Sequence, residues 1–275
     1  MNKPAVSIII AFYNRMDFLQ LVLAGFERQN FIDFEIVLAD DGSNEGVVQQ
    51  LRTYISQSPL KIRHVWHEDH GWRKTKILNK AVLAAEADYL ILIDGDCIPH
   101  PAFVREHYEN RQAKTILAGR RVHLSKKFSV QLTPENIRKG KLDHWLALLW
   151  DSLIGDSKNV EKALYLKSKW LRRFANRKPK DLLGCNLSFH KEDLLALNGY
   201  DERYVNPGTG EDTDLYVRSL HIGYTIKPIL NMAIQYHLHH KKGERSKMHE
   251  NGKILLQTKA DKLIYTPYGI HQTKI

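Results

Sequence analysis

The strongest constraint on the fold is the alternation, over residues 6–94, of short continuous apolar runs with segments of helical pattern. Runs of Val, Ile and Leu without polar alternation are typical of strands that are buried on both faces of a parallel sheet. Strands are predicted at residues 6–12, 34–40, 62–67 and 89–94, and helices at 16–29, 45–56 and 74–87. The pattern predicts a doubly wound α/β sheet whose ligand cleft lies outside the carboxyl ends of the strands.

The regular alternation stops near residue 122 and resumes near residue 182. Between these points lies a segment rich in Lys and Arg, which we predict to be a helical, basic insertion at about 122–180. A strand-like run follows at 182–189, a helix is expected to begin near Glu211, and another strand near 234–238. The predicted organisation is one catalytic domain, residues 1–240, followed by a basic C-terminal segment, 241–275.

Composition narrows the classes of function. The chain starts without a signal-peptide pattern, has no apolar run of membrane-spanning length and contains only two cysteines, which predicts a cytoplasmic protein. The net charge of +10 fits nucleic acid, an anionic membrane or a phosphate-bearing substrate. The sequence has neither zinc-finger spacing nor an RNP-like aromatic motif, so we expect no nucleic-acid partner.

Acidic residues follow two of the predicted strands. Asp94 and Asp96 flank a glycine after the LILID run, where carboxylate oxygens suit a hard divalent cation that bridges two phosphates. A simple turn is the alternative, because Asp and Gly are common turn residues. Asp41 ends the second strand, which in such a sheet borders a nucleotide crevice, although Ser43 behind it also suits a helix cap.

A later acidic cluster begins a predicted helix. Glu211, Asp212 and Asp214 come directly after a loop that holds Gly208 and Gly210. One interpretation is an acidic first turn that interacts favourably with the helix dipole. The other is a general base for a sugar hydroxyl, which has to be a carboxylate or a histidine on an accessible loop edge. The residues alone leave both interpretations open.

Histidines end the last apolar run. On a strand His237 and His239 share a face, which suits a metal or phosphate site, and a solvated strand end is the alternative. The C-terminal segment then opens with three basic residues, Lys241, Lys242 and Arg245. We predict that this basic segment closes over a diphosphate, with a solvated tail as the alternative.

Taken in order, these motifs resemble glycosyltransferase family 2, the inverting enzymes of the GT-A fold. Within that family the likeness is to bacterial chondroitin- and hyaluronan-polymerase-type domains. The stretches that carry the resemblance are SIIIAFYNR, FEIVLADDGS, EDHGWRKTKILNKAV, YLILIDGDCIPHP and GCNLSFHKEDLLALNGYDERYVNPGTGEDTDLYVR. They cover most of the chain outside 122–180. The resemblance implies a single GT-A domain with a mixed, mostly parallel sheet that is flanked by helices.

The resemblance also implies a donor site and a metal site. The nucleotide-sugar donor would contact six residues, Ala11, Tyr13, Arg15, Asp41, Gly71 and Asp94. Asp96 would bind a divalent metal, Mn²⁺ or Mg²⁺, together with a histidine. His237 is the expected histidine ligand, and His239 and His240 are the alternatives.

On the acceptor side the resemblance makes Asp212 the catalytic base, with Glu211 and Asp214 contacting or orienting the acceptor. One position departs from the family. Related enzymes often carry a tryptophan two residues before the Gly-Glu-Asp, and Gly208 stands there in this chain. An aromatic platform for the sugar is therefore missing or comes from elsewhere, with two candidates, Trp145 and Trp150.

The predicted function is metal-dependent, inverting transfer of a hexose or N-acetylhexosamine. The donor is expected to be a UDP-sugar, and the acceptor a hydroxyl of a glycan or lipid-linked glycan in bacterial surface polysaccharide synthesis, such as capsule or lipopolysaccharide. A non-catalytic nucleotide-sugar binding domain is the alternative, since such a domain would retain Asp41 and Asp96 but need no base. Only one catalytic set is present, so a polymerase with two activities is not expected.

Residues 158–180 allow a basic amphipathic helix whose apolar stripe comprises Val160, Leu164, Leu171 and Phe174, with Leu166 and Trp170 nearby. Such a helix suits the surface of an anionic membrane, where a lipid-linked acceptor is found. This interpretation places the protein peripherally at the inner face of the membrane. The alternative, slightly favoured by the residues, is a helix that packs on the catalytic core with a solvated basic face.

Overall fold

The four apolar runs that predict strands over residues 6–94 form neighbouring strands of one sheet. The computed structural model describes residues 3–178, 180–208, 210–241 and 248–272, and ten strands lie within them. The strands are β1 Val6–Phe12, β2 Phe34–Asp40, β3 Ile62–Trp66, β4 Tyr89–Asp94, β5 Cys97–Pro99, β6 Thr115–Ala118, β7 Val122–His123, β8 Leu187–His190, β9 Thr225–Pro228 and β10 Gln235–His237. The bounds predicted for β1, β2 and β4 are confirmed without change.

Eleven α-helices lie in the same described residues. They are α1 Met16–Phe26, α2 Glu45–Gln57, α3 Lys74–Ala84, α4 Phe103–Glu109, α5 Lys126–Ser129, α6 Pro134–Arg138, α7 Trp145–Ile154, α8 Lys169–Ala175, α9 Lys191–Ala196, α10 Glu211–His221 and α11 Met248–Ala260. The prediction of Ser43 as the cap of α2 is wrong. Asn44 caps this helix, because its side-chain oxygen accepts a hydrogen bond from the Val47 amide at 3.0 Å.

The large sheet has the strand order β3-β2-β1-β4-β8-β6-β9. The β1–β2, β1–β4, β2–β3 and β6–β9 pairings are parallel, whereas β8 is antiparallel to both β4 and β6. The predicted doubly wound, mostly parallel and mixed sheet is confirmed. In register, Ala11 lies opposite Ala39 on one side and Asp94 on the other, so the carboxyl ends of three strands meet at one edge.

Helices cover both faces of this sheet. Along β1, Ile8 and Ile10 belong to the apolar core that contains Leu23 of α1, whereas Ile9 belongs to a second core with Ile77 of α3. Successive side chains of a strand point to opposite faces, so a strand between two helical layers needs apolar residues at every position. This explains why the runs show no polar alternation.

A small second sheet of order β5-β10-β7 lies beside the carboxyl end of β4. Its register places His237 of β10 opposite Cys97 on β5 and opposite His123 on β7. The chain therefore returns, after more than a hundred residues, to the neighbour of Asp96. This sheet brings the late histidines to the acidic end of β4.

Residues 122–180 contain four short helices, α5 to α8, and the prediction of a single amphipathic helix within 158–180 is wrong. A 3₁₀ turn at Val160–Ala163 is separated from α8 by extended chain. Asn231 binds that chain, since its side-chain amide donates to the Leu164 carbonyl at 2.9 Å and its own carbonyl accepts from the Leu166 amide at 2.9 Å. These tertiary hydrogen bonds replace the ones that a helix would form.

The segment beyond residue 241 also differs from the polar tail that was expected. Its helix α11 packs on α10, where the Thr258 hydroxyl donates a hydrogen bond to Asp214 at 2.8 Å. Further on, the Asn198 side-chain amide donates to the carbonyls of Thr266 and His271. Lys242 and Arg245, which were predicted to close over a diphosphate, lie outside the described residues.

Candidate active site

The carboxyl ends of β1, β2 and β4 open into a cavity of about 350 Å³. All six residues that the sequence assigns to the donor line this cavity, namely Ala11, Tyr13, Arg15, Asp41, Gly71 and Asp94. The cavity lies where a doubly wound sheet places its ligands, because the loops at that edge diverge to either side. The structure therefore brings the six residues together, and their contact with a donor stays a prediction.

Asp41 is fixed on the floor of this cavity by two partners. The Arg73 amide donates to one carboxylate oxygen at 2.9 Å, and His67 Nε2 lies 2.8 Å from the other. Burial raises the pKa of Asp41, and the Arg73 amide and His67 oppose that rise. The turn behind it needs a glycine, because Gly42 has φ +93° and a Cβ there would lie 2.6 Å from the Asp69 Cα.

Asp69 organises the rim of the cavity, although nothing in the sequence singled it out. Its carboxylate accepts hydrogen bonds from the Tyr13 hydroxyl and from the Gly71 amide, each at 2.9 Å. Arg15 lies on the same rim, where it pairs with Asp17 at 2.7 Å and stacks 3.5 Å from the centroid of the Phe18 ring. Two of the predicted donor residues, Tyr13 and Gly71, are thus held in place by the same carboxylate, Asp69.

A half-buried lysine links the two halves of the cleft. Lys74, at the start of α3, donates to Asp94 at 2.9 Å, and Arg121 lies 3.9 Å from the other Asp94 oxygen. Burial alone would lower the pKa of Lys74, but the carboxylates of Asp94, Asp212 and Glu211 raise it well above its ordinary value. Lys74 is therefore a fixed positive charge among acids.

Asp96, His237 and His240 form a cluster of metal-ligating side chains. Their ligand atoms lie within 4.8 Å of one another, with one Asp96 oxygen 3.3 Å from His237 Nε2 and 3.0 Å from His240 Nε2. The structure brings Asp96 and His237 together as predicted and adds His240. It does not bring His239 to the cluster, and the His239 amide instead donates to the Ser129 hydroxyl at 2.9 Å.

A second cavity of about 930 Å³ adjoins the first. Five residues line both, namely Trp72, Lys74, Asp94, Asp96 and His240. Glu211 and Asp212 lie on the wall of the second cavity only, together with Arg121 and His123. The cleft therefore has one compartment for the residues assigned to the donor and another for the residues assigned to the acceptor.

The two adjacent acids at the start of α10 have different environments. Asp212 reaches the cleft and accepts a hydrogen bond from the Gly184 amide at 2.7 Å. Burial raises the pKa of Asp212, and Lys74 opposes that rise. Glu211 is buried, and burial together with the neighbouring charge of Asp212 raises its pKa to about 8. At neutral pH Glu211 therefore retains its proton.

Asp214 is not brought to the cleft, and the predicted contact with an acceptor does not fit its position. Its side chain is 1% exposed. One carboxylate oxygen accepts from Arg218 at 2.7 Å and the other from Thr258 at 2.8 Å. Because Thr258 comes from α11, the structural role of Asp214 depends on a helix that the sequence pattern did not predict.

Comparison with protein families assigns the chain to a known family. The model of glycosyl transferase family 2 matches residues 7–178, which is more than half of the chain. The chain belongs to glycosyltransferase family 2. A second family model, described as the N-terminal domain of galactosyltransferase, matches residues 173–241, a span that includes Asp212 and His237.

Two relatives match most of this chain. Chondroitin synthase of Escherichia coli is 28% identical over 250 residues, which are 84% of this chain and 34% of that protein. Hyaluronan synthase of Pasteurella multocida is 26% identical over 272 residues, 94% of this chain and 27% of that protein. The chain thus spans about a third or less of the length of these relatives.

The fold of this family 2 chain is GT-A. The solved structure of GalNAc-T7 with UDP, GalNAc and Mn²⁺ superposes with a TM-score of 0.62 at 15% identity, covering 93% of this chain and 48% of that one. At this identity the likeness shows the fold alone.

Three cleft residues of this family 2 chain were not predicted from the sequence, Trp72, Lys74 and Arg121. The predicted platforms do not line the cleft, since Trp145 donates to the Val160 carbonyl at 3.2 Å and Trp150 is exposed on α7. Trp72 lies instead between the two cavities. A signal was present, because Trp72 and Lys74 belong to the polar stretch HGWRKTK that spans the start of α3.

Proposed function

We propose that this chain is an inverting glycosyltransferase that moves a sugar from a nucleotide-diphosphate sugar to a hydroxyl of a glycan or lipid-linked glycan. The observation that carries the proposal is the pair of adjoining cavities. Residues suited to a nucleotide line the first, and Asp212 lines the second. Lys74, Asp94 and Asp96 lie between them, where a transferred sugar would have to pass.

The relatives narrow the substrates in this proposal. Chondroitin and hyaluronan synthases are named for polysaccharides, and a structure of the same fold contains UDP. We therefore propose a UDP-linked hexose or N-acetylhexosamine as donor and a role in bacterial surface polysaccharide synthesis. Since the chain spans only part of those relatives, the proposal covers one transfer step and not polymerisation.

Asp212 is the proposed base for the acceptor hydroxyl. A sugar hydroxyl is a weak nucleophile at neutral pH, and a positioned base contributes roughly 10²–10⁴-fold in rate. The Gly184 amide holds the Asp212 carboxylate at the cavity wall, and burial brings its pKa closer to neutral. Burial and the charge of Asp212 raise the pKa of Glu211 to about 8, so in this proposal Glu211 carries the proton and Asp212 acts as the base.

The reaction we propose is a single displacement with inversion. As Asp212 takes the proton, the acceptor oxygen bonds to the anomeric carbon and the bond from that carbon to the diphosphate oxygen breaks. Negative charge then develops on the leaving diphosphate. Arg15, Lys74 and Arg121 line the cleft as fixed positive charges that stabilise it.

Asp96, His237 and His240 fit a divalent cation. A carboxylate with two imidazoles is a mixed oxygen–nitrogen donor set that suits Mn²⁺ and tolerates Mg²⁺, and the three ligand atoms converge within 4.8 Å. When bound, such a cation acts as a Lewis acid on the diphosphate oxygens. Asp96 and His240 line the same cavity as Arg15, so in this proposal a diphosphate held at this cluster lies near Arg15.

The proposal is tested by screening nucleotide sugars for release of nucleoside diphosphate in the presence of Mn²⁺ or Mg²⁺. We expect one donor to be turned over, with Asp212→Asn nearly inactive and still able to bind that donor. A donor that binds tightly but is never turned over, with or without oligosaccharide acceptors, would instead indicate a non-catalytic binding domain. Such a domain has no need for the Gly184–Asp212 hydrogen bond.

A further inference from the structure

Helix α7 carries an unpartnered apolar face. Leu146, Trp150, Leu153 and Ile154 are 71%, 64%, 72% and 59% exposed, and their spacing places them on one side of the helix. The opposite side is fixed to the protein, because Leu148 is fully buried and Asp151 accepts a hydrogen bond from Ser125 at 3.0 Å. Large side chains clustered in this way on a surface mark an interaction site.

Helix α8 presents a second exposed apolar group. Trp170 and Phe174 are 70% and 55% exposed and stack on each other, with ring centroids 6.1 Å apart at an angle of 19°. Arg177 adds its guanidinium 4.2 Å from the Phe174 centroid. The helix itself is tethered through Arg172, which forms an ion pair with the buried Glu106 at 2.7 Å. The two rings are thus held on an anchored element.

The excess positive charge of the chain lies in the segment that contains α7 and α8. Residues 122–180 contain fourteen Lys and Arg against five Asp and Glu, so this segment carries nine of the chain's ten net positive charges. Basic residues on and around α8 are exposed, namely Lys167, Lys169, Arg173, Arg177 and Lys178. The rest of the sequence is close to neutral in net charge, so the excess positive charge belongs to one segment of the chain.

We propose that the exposed faces of α7 and α8, with the basic residues around α8, form a docking surface for an anionic lipid bilayer. Trp and Leu side chains enter the headgroup region while Lys and Arg contact anionic headgroups. Contacts between proteins favour a different composition, because lysine is depleted in their interfaces. In the described part of the chain no helix combines the length and apolarity needed to cross a bilayer, so the contact is peripheral.

The docking surface is continuous in sequence with the acceptor side of the cleft. Asp156 and Lys158, which line the second cavity, follow Ile154 of α7 by two and four residues. A membrane on this surface would bring lipid headgroups close to the mouth of that cavity. The geometry thus favours a lipid-linked acceptor, a refinement that rests on the proposed transferase function.

The test is cosedimentation of the full chain with vesicles of phosphatidylcholine alone or mixed with phosphatidylglycerol. Binding should require the anionic lipid and weaken as salt is raised. Replacing Lys167, Lys169, Arg173 and Arg177 by Gln should weaken binding by about fivefold per residue, a few hundredfold in all. The matched control removes four exposed charges elsewhere, with Gln at Arg52, Lys76, Lys80 and Lys259, and should bind nearly as the wild type does.

A second pair of variants tests the contribution of the exposed apolar side chains to vesicle binding. Trp150→Ser with Leu153→Ser should reduce binding at fixed charge, whereas Leu83→Ser with Leu256→Ser, also exposed, should not. Circular dichroism checks that each variant is folded. If the wild type ignores anionic vesicles, or if both pairs bind equally, the proposal is overturned.

A second copy of the chain is the rival occupant. A wild-type dimer in light scattering that Trp150→Ser with Leu153→Ser converts to a monomer would assign the surface to self-association and overturn membrane docking. Vesicle binding involves no turnover, so a protein that does not bind vesicles leaves the transferase proposal standing. A protein that binds vesicles but transfers no sugar supports membrane docking and contradicts the transferase proposal.

Discussion

The protonation of Glu211 gives a quantitative prediction about stability. In the folded chain its pKa is raised to about 8 from an ordinary value of 4.5, first by burial and then by Asp212. One of its carboxyl oxygens is buried without a hydrogen-bond partner among the described residues. Because the folded-state pKa lies above the unfolded one, the folded chain retains a proton that the unfolded chain releases.

The sign and size follow from that difference. Below pH 4.5 both states are protonated and Glu211 costs nothing. Between pH 4.5 and about 8 the free energy of unfolding falls by about 1.4 kcal/mol per pH unit, which sets an upper bound of roughly 5 kcal/mol. Glutamine has the shape of the protonated side chain and does not titrate. We therefore expect Glu211→Gln to match the wild type near pH 5 and to be more stable by a few kcal/mol near pH 8.

Urea unfolding of both proteins across this pH range measures the difference directly, and titrating groups that do not interact with Glu211 cancel in the comparison. Glu109→Gln, at an exposed position of α4, is the matched control and should shift stability by the same small amount at every pH. A difference between Glu211→Gln and the wild type that does not vary with pH would show that Glu211 is ionised in the fold. The assignment of Asp212 as sole base would then lose its main support.

Three further predictions concern the cleft. Asp212→Asn should lower transfer by at least about a hundredfold while donor affinity, measured by calorimetry, stays nearly constant, and near-normal transfer would refute the base assignment. Gly184→Ala places a Cβ 2.4 Å from an Asp212 oxygen, so a loss of similar size in kcat is expected with the donor KM unchanged. Wild-type turnover should stop in chelator and return with Mn²⁺ or Mg²⁺, whereas Asp96→Ala should recover with neither; full activity in chelator would contradict the metal site.

The sheet could be predicted because its signal is local. A strand covered on both faces needs apolar side chains at consecutive positions, so β1, β2 and β4 are visible in the sequence without knowledge of their partners. The acids and histidines at their ends could be predicted for the same reason, since the carboxyl edge of such a sheet is where ligands bind. The order of these motifs along the chain then carried the family resemblance.

Two of the errors lie where a distant partner decides the local structure. Residues 158–180 have the composition of one helix, but Asn231 binds the backbone at Leu164 and Leu166 and holds it extended. Asp214 belongs to an acidic cluster in the sequence, but Thr258 from α11 turns it into a core residue. Neither partner is recognisable from the segment that it alters, because a hydrogen bond between distant residues leaves no periodic pattern.

The three acids at the start of α10 show how one short motif can separate into three chemical states. Adjacent residues on a helix point about 100° apart, so Glu211, Asp212 and Asp214 face different surroundings. Glu211 is buried at the wall of the second cavity with its pKa raised to about 8, Asp214 is paired with Arg218, and Asp212 faces the cleft. Lys74 interacts with the carboxylates of Asp94, Asp212 and Glu211, and its positive charge opposes the rise that burial causes in the pKa of Asp212. We assign Asp212 as the base because Glu211 carries a proton in this proposal. The assignment of the base therefore depends on the charge of Glu211.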